Sequence, residues 1–556
     1  MNVRVHLPWF CLWGTPALVA CVGWIAVLAT IDPSGSYPHA VQGPGLTIDE
    51  TFNVQTGVFL SEAIRAYGLG ILHREREEVF GHQSYNPDHP PLGRLWIGLF
   101  HDAVLFLLPP NDYEPPFVTV CGRAASATAF ALMVFLVGFS ASKWYGQAAG
   151  CAAAVAVVLM PRVFGHAHLA SLETFIALTY AAAILVVAHF WDSPSSPSRR
   201  TACLTGIIFG LALLTKVQAI LIPPVVACWS LLYWRKKAII PIAVWATVGM
   251  LVFWAGWPWL WLDPIDHVLE FLGRTTDRDV IYTWYFGQRY SDRDVPWHYP
   301  AVIFLTTVPI GLQLLGFSGL VCGKRRVWNQ RREQLLLGSI LFPLLLFGVP
   351  GVAVYDGARL FIVVFPLWAL FVGRGCAWVL ELLTRKYSLR TSACLLVGFV
   401  ALQAYGLVTT HPCYLSYYNL LVGGLPGAQR LGMEVTYWGD SITRSFLQQS
   451  VQMLPPGETV VVTPPLHPFH LKEMLIQSPI LRRHKIQLRR FDQLDGTPLE
   501  GRSKYVMAFL RKSDLPEFVM APPPGTEIVA EVRRQGVQLS VLYKFPAPNQ
   551  SESKPQ

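Results

Sequence analysis

The side chains able to do chemistry in this chain are few and gathered in short polar stretches. Asp49 and Glu50 form an adjacent acidic pair, and His89-Pro90-Pro91-Leu92-Gly93-Arg94 offers an imidazole and a guanidinium in one short run. His166, His168 and Glu173 follow, then Lys216 alone between apolar runs, then Tyr355-Asp356-Gly357-Ala358-Arg359. Gly287-Gln288-Arg289-Tyr290 and Pro296-Trp297-His298-Tyr299 add Arg289 and His298. Carboxylates can accept protons, and lysine and arginine can hold an anionic group, the one as a point charge and the other as a fork. Ionisable groups at or near membrane depth are costly, so their positions carry information. Each also has a plainer reading. An acidic pair can be solvated surface, Lys216 can snorkel, Arg359 can anchor a helix end, and His166 and His168 can be hydrogen-bonded loop residues. The Trp254–Trp261 stretch fits an interfacial aromatic belt.

The elements that must position these groups are membrane spans. Of 556 residues, 53% are hydrophobic and only 14% charged, with a mean hydropathy of +0.39. Soluble proteins carry roughly 25% charged residues, so a single soluble domain, a disordered chain and a disulfide scaffold are excluded. The ten cysteines are scattered singly and form no CxxC pair. They read as small buried hydrophobes. A bilayer crossing takes about 20 residues, and the uncharged stretches that are candidates are Leu7–Ile31, Ala124–Ser142, Trp144–Pro161, Thr174–Trp191, Thr201–Thr215, Val217–Trp234, Ala238–Leu262, Tyr299–Gly323, Gln334–Tyr355, Leu360–Gly373 and Thr391–Thr410, with Thr201–Thr215 and Leu360–Gly373 short for a span. The fold expected is an all-α polytopic membrane protein of about eleven spans. Leu95–Pro110, interrupted by His101 and Asp102, reads as an interfacial helix.

With the N-terminus cytoplasmic, one face collects sixteen basic residues: Arg4, Lys143, Arg199, Arg200, Arg235, Lys236, Lys237, Lys324, Arg325, Arg326, Arg331, Arg332, Arg374, Arg385, Lys386 and Arg390. The short loops of the other face hold three, Arg162, Lys216 and Arg359. That asymmetry follows the positive-inside rule. It also accounts for the net charge of +9 without a nucleic-acid partner. Every group singled out above then falls on the extracytoplasmic face, together with the loop 32–123 and the tail after His411.

That tail alternates apolar and polar residues. Glu458–Thr463, Ile486–Phe491, Lys504–Leu510, Glu527–Val532 and Val537–Phe545 read as strands, and Ser441–Met453 and Pro468–Gln477 as helices, the first with Asp440 as N-cap. The domains expected are a transmembrane part, 1–410, a small extracytoplasmic α/β domain, 411–545, and a disordered end, 546–556.

A span, an outer loop with Thr47-Ile48-Asp49-Glu50, and then His-Pro-Pro-Leu-Gly-Arg resemble the polytopic glycosyltransferases of the C-type fold, in particular the protein O-mannosyltransferases and the bacterial aminoarabinose transferases that modify lipid A. Pro161–Glu173, Leu214-Thr215-Lys216 and Tyr355–Arg359 fall where such enzymes carry further polar residues, and the layout corresponds over Leu7 to Gly424. Two features depart from the pattern: Glu173 stands where those relatives use Asp, and the tail lacks the β-trefoil insertion of eukaryotic protein mannosyltransferases.

The resemblance implies an enzyme of the plasma or inner membrane that takes a sugar from a polyprenyl-phosphate carrier. The acceptor expected is a hydroxyl or phosphate on a lipid or envelope glycan, with a protein hydroxyl as the alternative. It implies inversion with Asp49 as general base, Glu50 and Glu173 orienting acceptor or sugar, and Lys216 and Arg359 on the phosphate. His89, Arg94, Arg289 and His298 are further substrate-binding candidates. No nucleotide-binding loop is present, as a lipid-linked donor requires none. The acidic residues leave room for a divalent cation, but no spacing completes a ligand set. A lipid or sugar transporter is the competing class, expected to bind at the midplane between repeats, and a structural subunit of an envelope complex is another. The chain shows no repeat, and its polar groups gather at one face.

Overall fold

The structure is a computed structural model that describes residues 9–111, 117–276, 279–321, 330–491 and 504–546. Arg4, Lys324, Arg325 and Arg326 of the charge asymmetry lie outside the described residues, as does the expected disordered end from Ala547 onward.

Apolar composition becomes helix through most of the chain. Among the described residues, six helical stretches are long and apolar enough to cross a membrane: Leu12–Ala29, Thr119–Tyr145, Leu172–Phe190, Val217–Ala255, Val364–Thr384 and Leu389–Thr410. The protein is an integral membrane protein. The stretch Val217–Ala255 holds two helices, Ile222–Trp234 and Ile239–Ala255. Gly206 lies against Trp245, and Gly210 against Gly249 and Val252. The helices Arg199–Leu213 and Ile239–Ala255 therefore run side by side, and the chain must return between them through Ile222–Trp234. Arg235, at φ 47°, makes the turn. Trp144–Pro161 and Gln334–Tyr355 appear as the shorter helices Gln147–Val158 and Arg331–Leu346.

The expected span Tyr299–Gly323 is broken. Tyr299–Thr307 and Ile310–Val321 meet at 111°, because Pro309 forces Val308 into an extended conformation. The carbonyls freed at the break find donors: Gln313 Nε2 reaches Phe304 O at 2.9 Å, and Asn419 Nδ2 reaches Leu305 O and Val308 O at 2.7 Å each. Buried backbone in a membrane protein needs such partners.

The segment after Thr410 carries a five-stranded mixed sheet. In chain order the strands of the molecule are β1 (Tyr282–Tyr285) and β2 (Gln288–Ser291), an isolated hairpin, then β3 (Thr459–Thr463), β4 (Gln487–Arg490), β5 (Tyr505–Phe509), β6 (Glu527–Arg534) and β7 (Val537–Lys544). The sheet order is β4-β3-β5-β7-β6, with β3 parallel to β4 and β5, and β7 antiparallel to β5 and β6. Helix Pro468–Ile476 lies in the crossover from β3 to β4. Gln535 and Gly536, both at positive φ, close the β6–β7 hairpin in a two-residue turn. Asp440 does not cap the following helix. That helix begins at Arg444, and the Thr443 side chain accepts from Phe446 N, leaving Asp440 wholly buried.

Candidate active site

Helix ends from separate parts of the chain meet in one chamber. Asp49 precedes the helix Glu50–Tyr67, His89 and Arg94 flank the start of Pro91–Leu107, and Glu173 lies in the first turn of Leu172–Phe190. Lys216 ends the turn after Arg199–Leu213, and Arg359 sits just before Val364–Thr384. Several helices thus aim their N-termini at the chamber, a polarity that favours an anion there. Asp49, Phe52, Asn53, Asp88, His89, Arg94, Leu172, Glu173, Lys216 and Arg359 line a cavity of about 100 Å³.

Arg359 is its hub. Its Nε lies 2.8 Å from Glu173 Oε1, its Nη1 lies 3.2 Å from Asp356 Oδ2, and its Nη2 contacts Asp49 Oδ2. Lys216 Nζ lies 2.6 Å from the same Glu173 oxygen. The Trp438 ring stacks on the Arg359 guanidinium at 4.2 Å. Arg359 leaves a turn in which Asp356 and Gly357 both take positive φ, 55° and 63°. A Cβ on Gly357 would stand 2.3 Å from Arg162 Nη1, so a side chain there would be strained by its φ and would push the tip of Arg162 aside.

Arg94 is buried, with Nε on Asn53 Oδ1 at 3.0 Å and Nη1 on Asp88 Oδ1 at 2.5 Å. Burial pushes His89 down to about 4 against the pull of Asp88, so it is neutral at physiological pH and can donate or accept one hydrogen bond.

Glu50 faces away from the chamber. Its carboxylate accepts from Arg123 Nε and Nη2, both at 2.7 Å, from Thr47 N at 2.8 Å, from Thr47 Oγ1 at 3.0 Å and from Ala170 N at 2.7 Å. Arg123 spends its remaining N–H groups on the carbonyls of Ile31, Pro44 and Gly45. Both side chains are fully buried. Arg289 and His298 also lie elsewhere. Arg289 stacks on Tyr282 at 3.4 Å and donates to Ser513 O at 2.6 Å, joining the β1–β2 hairpin to the C-terminal segment. His298 Nδ1 sits 2.8 Å from Tyr285 Oη. His168 is satisfied by Thr30 Oγ1 and Phe164 O at 2.8 Å each. Among the described residues no group of three or more His, Cys, Asp or Glu is arranged to hold a metal ion.

Trp438, Asp88, Asn53 and Phe52 belong to this constellation without having been singled out from the sequence, and Asp356, noted there only within the run Tyr355–Arg359, joins it as a partner of Arg359. Trp438 is distant in sequence from every other group, and only the doublet Tyr437-Trp438 marks it.

A chamber among helix ends in which carboxylates and cations face one another suits transfer of a group from an anionic leaving group. Part of the chain also matches a family of known proteins. Residues 80–269 match the family model of dolichyl-phosphate-mannose-protein mannosyltransferase, a stretch that holds His89, Arg94, Glu173 and Lys216. The resemblance stated from the sequence is thus met over that stretch. No curated protein matches the chain. Among solved structures, the chain is similar to ArnT from Cupriavidus metallidurans bound to undecaprenyl phosphate, at 14% identity and a TM-score of 0.47, covering 99% of this chain and 100% of that one. It is also similar to the oligosaccharyltransferase of Archaeoglobus fulgidus, at 11% identity and a TM-score of 0.46, covering 90% of this chain and 70% of that one.

Proposed function

We propose that the protein is a membrane glycosyltransferase that moves a sugar from a polyprenyl-phosphate carrier to an acceptor hydroxyl or phosphate on a lipid or envelope glycan, with inversion at the anomeric carbon. The observation that carries this reading is the meeting of Asp49, Glu173, Lys216 and Arg359, four residues from separate parts of the chain, in one cavity. The chamber faces the extracytoplasmic side, with the N-terminus cytoplasmic. The chain divides into a transmembrane catalytic part, 1–410, and an extracytoplasmic α/β part, 411–545.

In this mechanism the phosphate of the donor takes the place of a carboxylate on Arg359, and Lys216 supplies a second positive charge. Of the three acids on Arg359, Asp49 yields, because its side chain is 34% exposed while those of Glu173 and Asp356 are 1% and 3% exposed. Displaced from Arg359, Asp49 takes the proton of the acceptor hydroxyl as the oxygen attacks the anomeric carbon. The bond from that carbon to the phosphate oxygen breaks, and the carrier leaves as polyprenyl phosphate, its charge held by Lys216 and Arg359. Glu173 stays behind to keep both cations in place, and His89 and Arg94 border the sugar.

The family model favours a second reading of the acceptor, a serine or threonine hydroxyl on a protein. Purified protein incubated with a panel of polyprenyl-phosphate sugars, with lipid, glycan and peptide acceptors, is expected to release polyprenyl phosphate. Asp49→Asn is expected to lower the rate by about 10²–10⁴-fold while binding of polyprenyl phosphate persists. Release of carrier by the Asp49→Asn variant at the wild-type rate would remove Asp49 from the role of base, and no release from any donor by the wild type would refute the transferase.

A further inference from the structure

The chamber's hub is held from outside the transmembrane part. Arg511 follows β5 in the C-terminal segment and is buried, with a side chain 8% exposed. Its Nη2 lies 3.1 Å from Asp356 Oδ1, an ion pair outside hydrogen-bond alignment, while the other oxygen of Asp356 lies 3.2 Å from Arg359 Nη1. One carboxylate therefore links an arginine of the C-terminal segment to the arginine at the centre of the chamber. Arg511 is itself fixed from several sides. Its Nη1 donates to Tyr437 O at 3.2 Å, its Nη2 to Tyr282 O at 3.1 Å, and its Nε pairs with Asp514 at 2.8 Å. Tyr437 adjoins Trp438, whose ring carries Arg359. Glu434 closes the frame by accepting from Trp284 N at 3.2 Å and Lys512 N at 2.8 Å.

We propose that Arg511 is a positioning residue of the active site, setting the place of Arg359 through Asp356, so that the C-terminal segment takes part in holding the donor phosphate. This rests on the transferase reading above. Asp356 has two oxygens and two arginine partners. Without Arg511 its carboxylate is free to turn wholly onto Arg359 and to draw that guanidinium away from the phosphate. Lysine at position 511 keeps the charge but cannot fork between Asp356 and the carbonyls of Tyr282 and Tyr437.

The test is a double-mutant cycle in the full-length protein, measuring donor KM, kcat and the affinity for polyprenyl phosphate for Arg511→Lys, Arg511→Met, Asp356→Asn and Arg511→Met with Asp356→Asn, with melting temperature followed in each. Residues in one ion-pair network couple measurably, and a tenfold change is about 1.4 kcal/mol. We expect each Arg511 variant to raise donor KM by about tenfold with a smaller change in kcat, and the Arg511→Met effect to vanish in the Asp356→Asn background. A role in docking alone would lower the melting temperature and add to Asp356→Asn without coupling. Additive losses, or a donor KM unchanged in Arg511→Lys and Arg511→Met with an active wild type, would overturn the positioning role alone. A wild type that neither binds polyprenyl phosphate nor consumes any polyprenyl-phosphate sugar would overturn the transferase reading, and the positioning role with it.

Discussion

Neighbouring residues Asp49 and Glu50 are expected to fail in opposite ways, and Glu50→Gln tests the distinction. Glu50 accepts five hydrogen bonds, two of them from Arg123, and neither side chain reaches solvent. Glutamine keeps the volume but loses the charge. Its amide nitrogen would also face donors in either orientation, Arg123 with Ala170 N–H at one oxygen position or Arg123 with Thr47 N–H at the other. Breaking a buried ion pair from one side costs about 3–5 kcal/mol, because the surviving charge stays buried without a partner. That is a large share of a folded state stable by about 5–15 kcal/mol. The damage would spread, since Arg123 ties Ile31, Pro44 and Gly45 to the helix Thr119–Tyr145, and Glu50 ties Ala170 to the same point. In a thermal melt of detergent-solubilised protein, Glu50→Gln should unfold several degrees below the wild type or accumulate poorly, while Asp49→Asn should melt like the wild type and transfer sugar about 10²–10⁴-fold more slowly. If Glu50→Gln melts with the wild type yet transfers nothing, Glu50 acts on substrate and the structural assignment is wrong.

The other expectations concern the hub and its supports. Glu173→Gln should destabilise more than Lys216→Met. The first leaves a buried Lys216 with no carboxylate in contact, whereas the second leaves Glu173 on Arg359; equal melting temperatures would contradict this. Gly357→Ala forces a side chain into positive φ, at about 1–2 kcal/mol, and into Arg162. It should lower both melting temperature and transfer, and an unchanged melt would show that the turn relaxes freely. His470, wholly buried against Thr51, has its pKa lowered to about 4 by burial. A depressed folded-state value means that the native state binds fewer protons than the unfolded chain between about pH 6.5 and about 4. His470 therefore contributes stability above about pH 6.5 that is lost as the pH falls through that window, on the order of 3 kcal/mol. The melting temperature of His470→Gln should fall less steeply than that of the wild type from about pH 7 to about pH 4, and parallel pH profiles would refute the assignment.

What the sequence disclosed follows from which interactions are local. Helices and strands are written in nearest-neighbour patterns, and the five strands after His411 lie within a few residues of where alternation and turn residues put them. The break at Pro309 was invisible in a hydropathy reading, because Tyr299–Gly323 carries no charge anywhere along its length. What decides the bend is whether the freed carbonyls have donors, and one of these, Asn419, lies more than a hundred residues away. Asp440 shows the same limit on a smaller scale: an acidic residue before a helix is a fair cap by type, yet Thr443 stands nearer the first turn and takes the bond.

The chamber illustrates why residue type alone separates ligand-facing groups from supporting ones poorly. Asp49 and Glu50 are indistinguishable as an acidic doublet, but a helix starting at Glu50 sends successive side chains about 100° apart. One therefore reaches the chamber and the other the packed interior beside Arg123. Arg289 reads as a substrate-binding candidate from the sequence, whereas nothing there marks Arg511. Arg289 meets Ser513 and Tyr282, and Arg511 meets the carboxylate that holds Arg359. The difference lies in pairings separated by a hundred residues or more, which is also why the C-terminal segment, unremarkable by composition, bears on the geometry of a site written mostly in the membrane part.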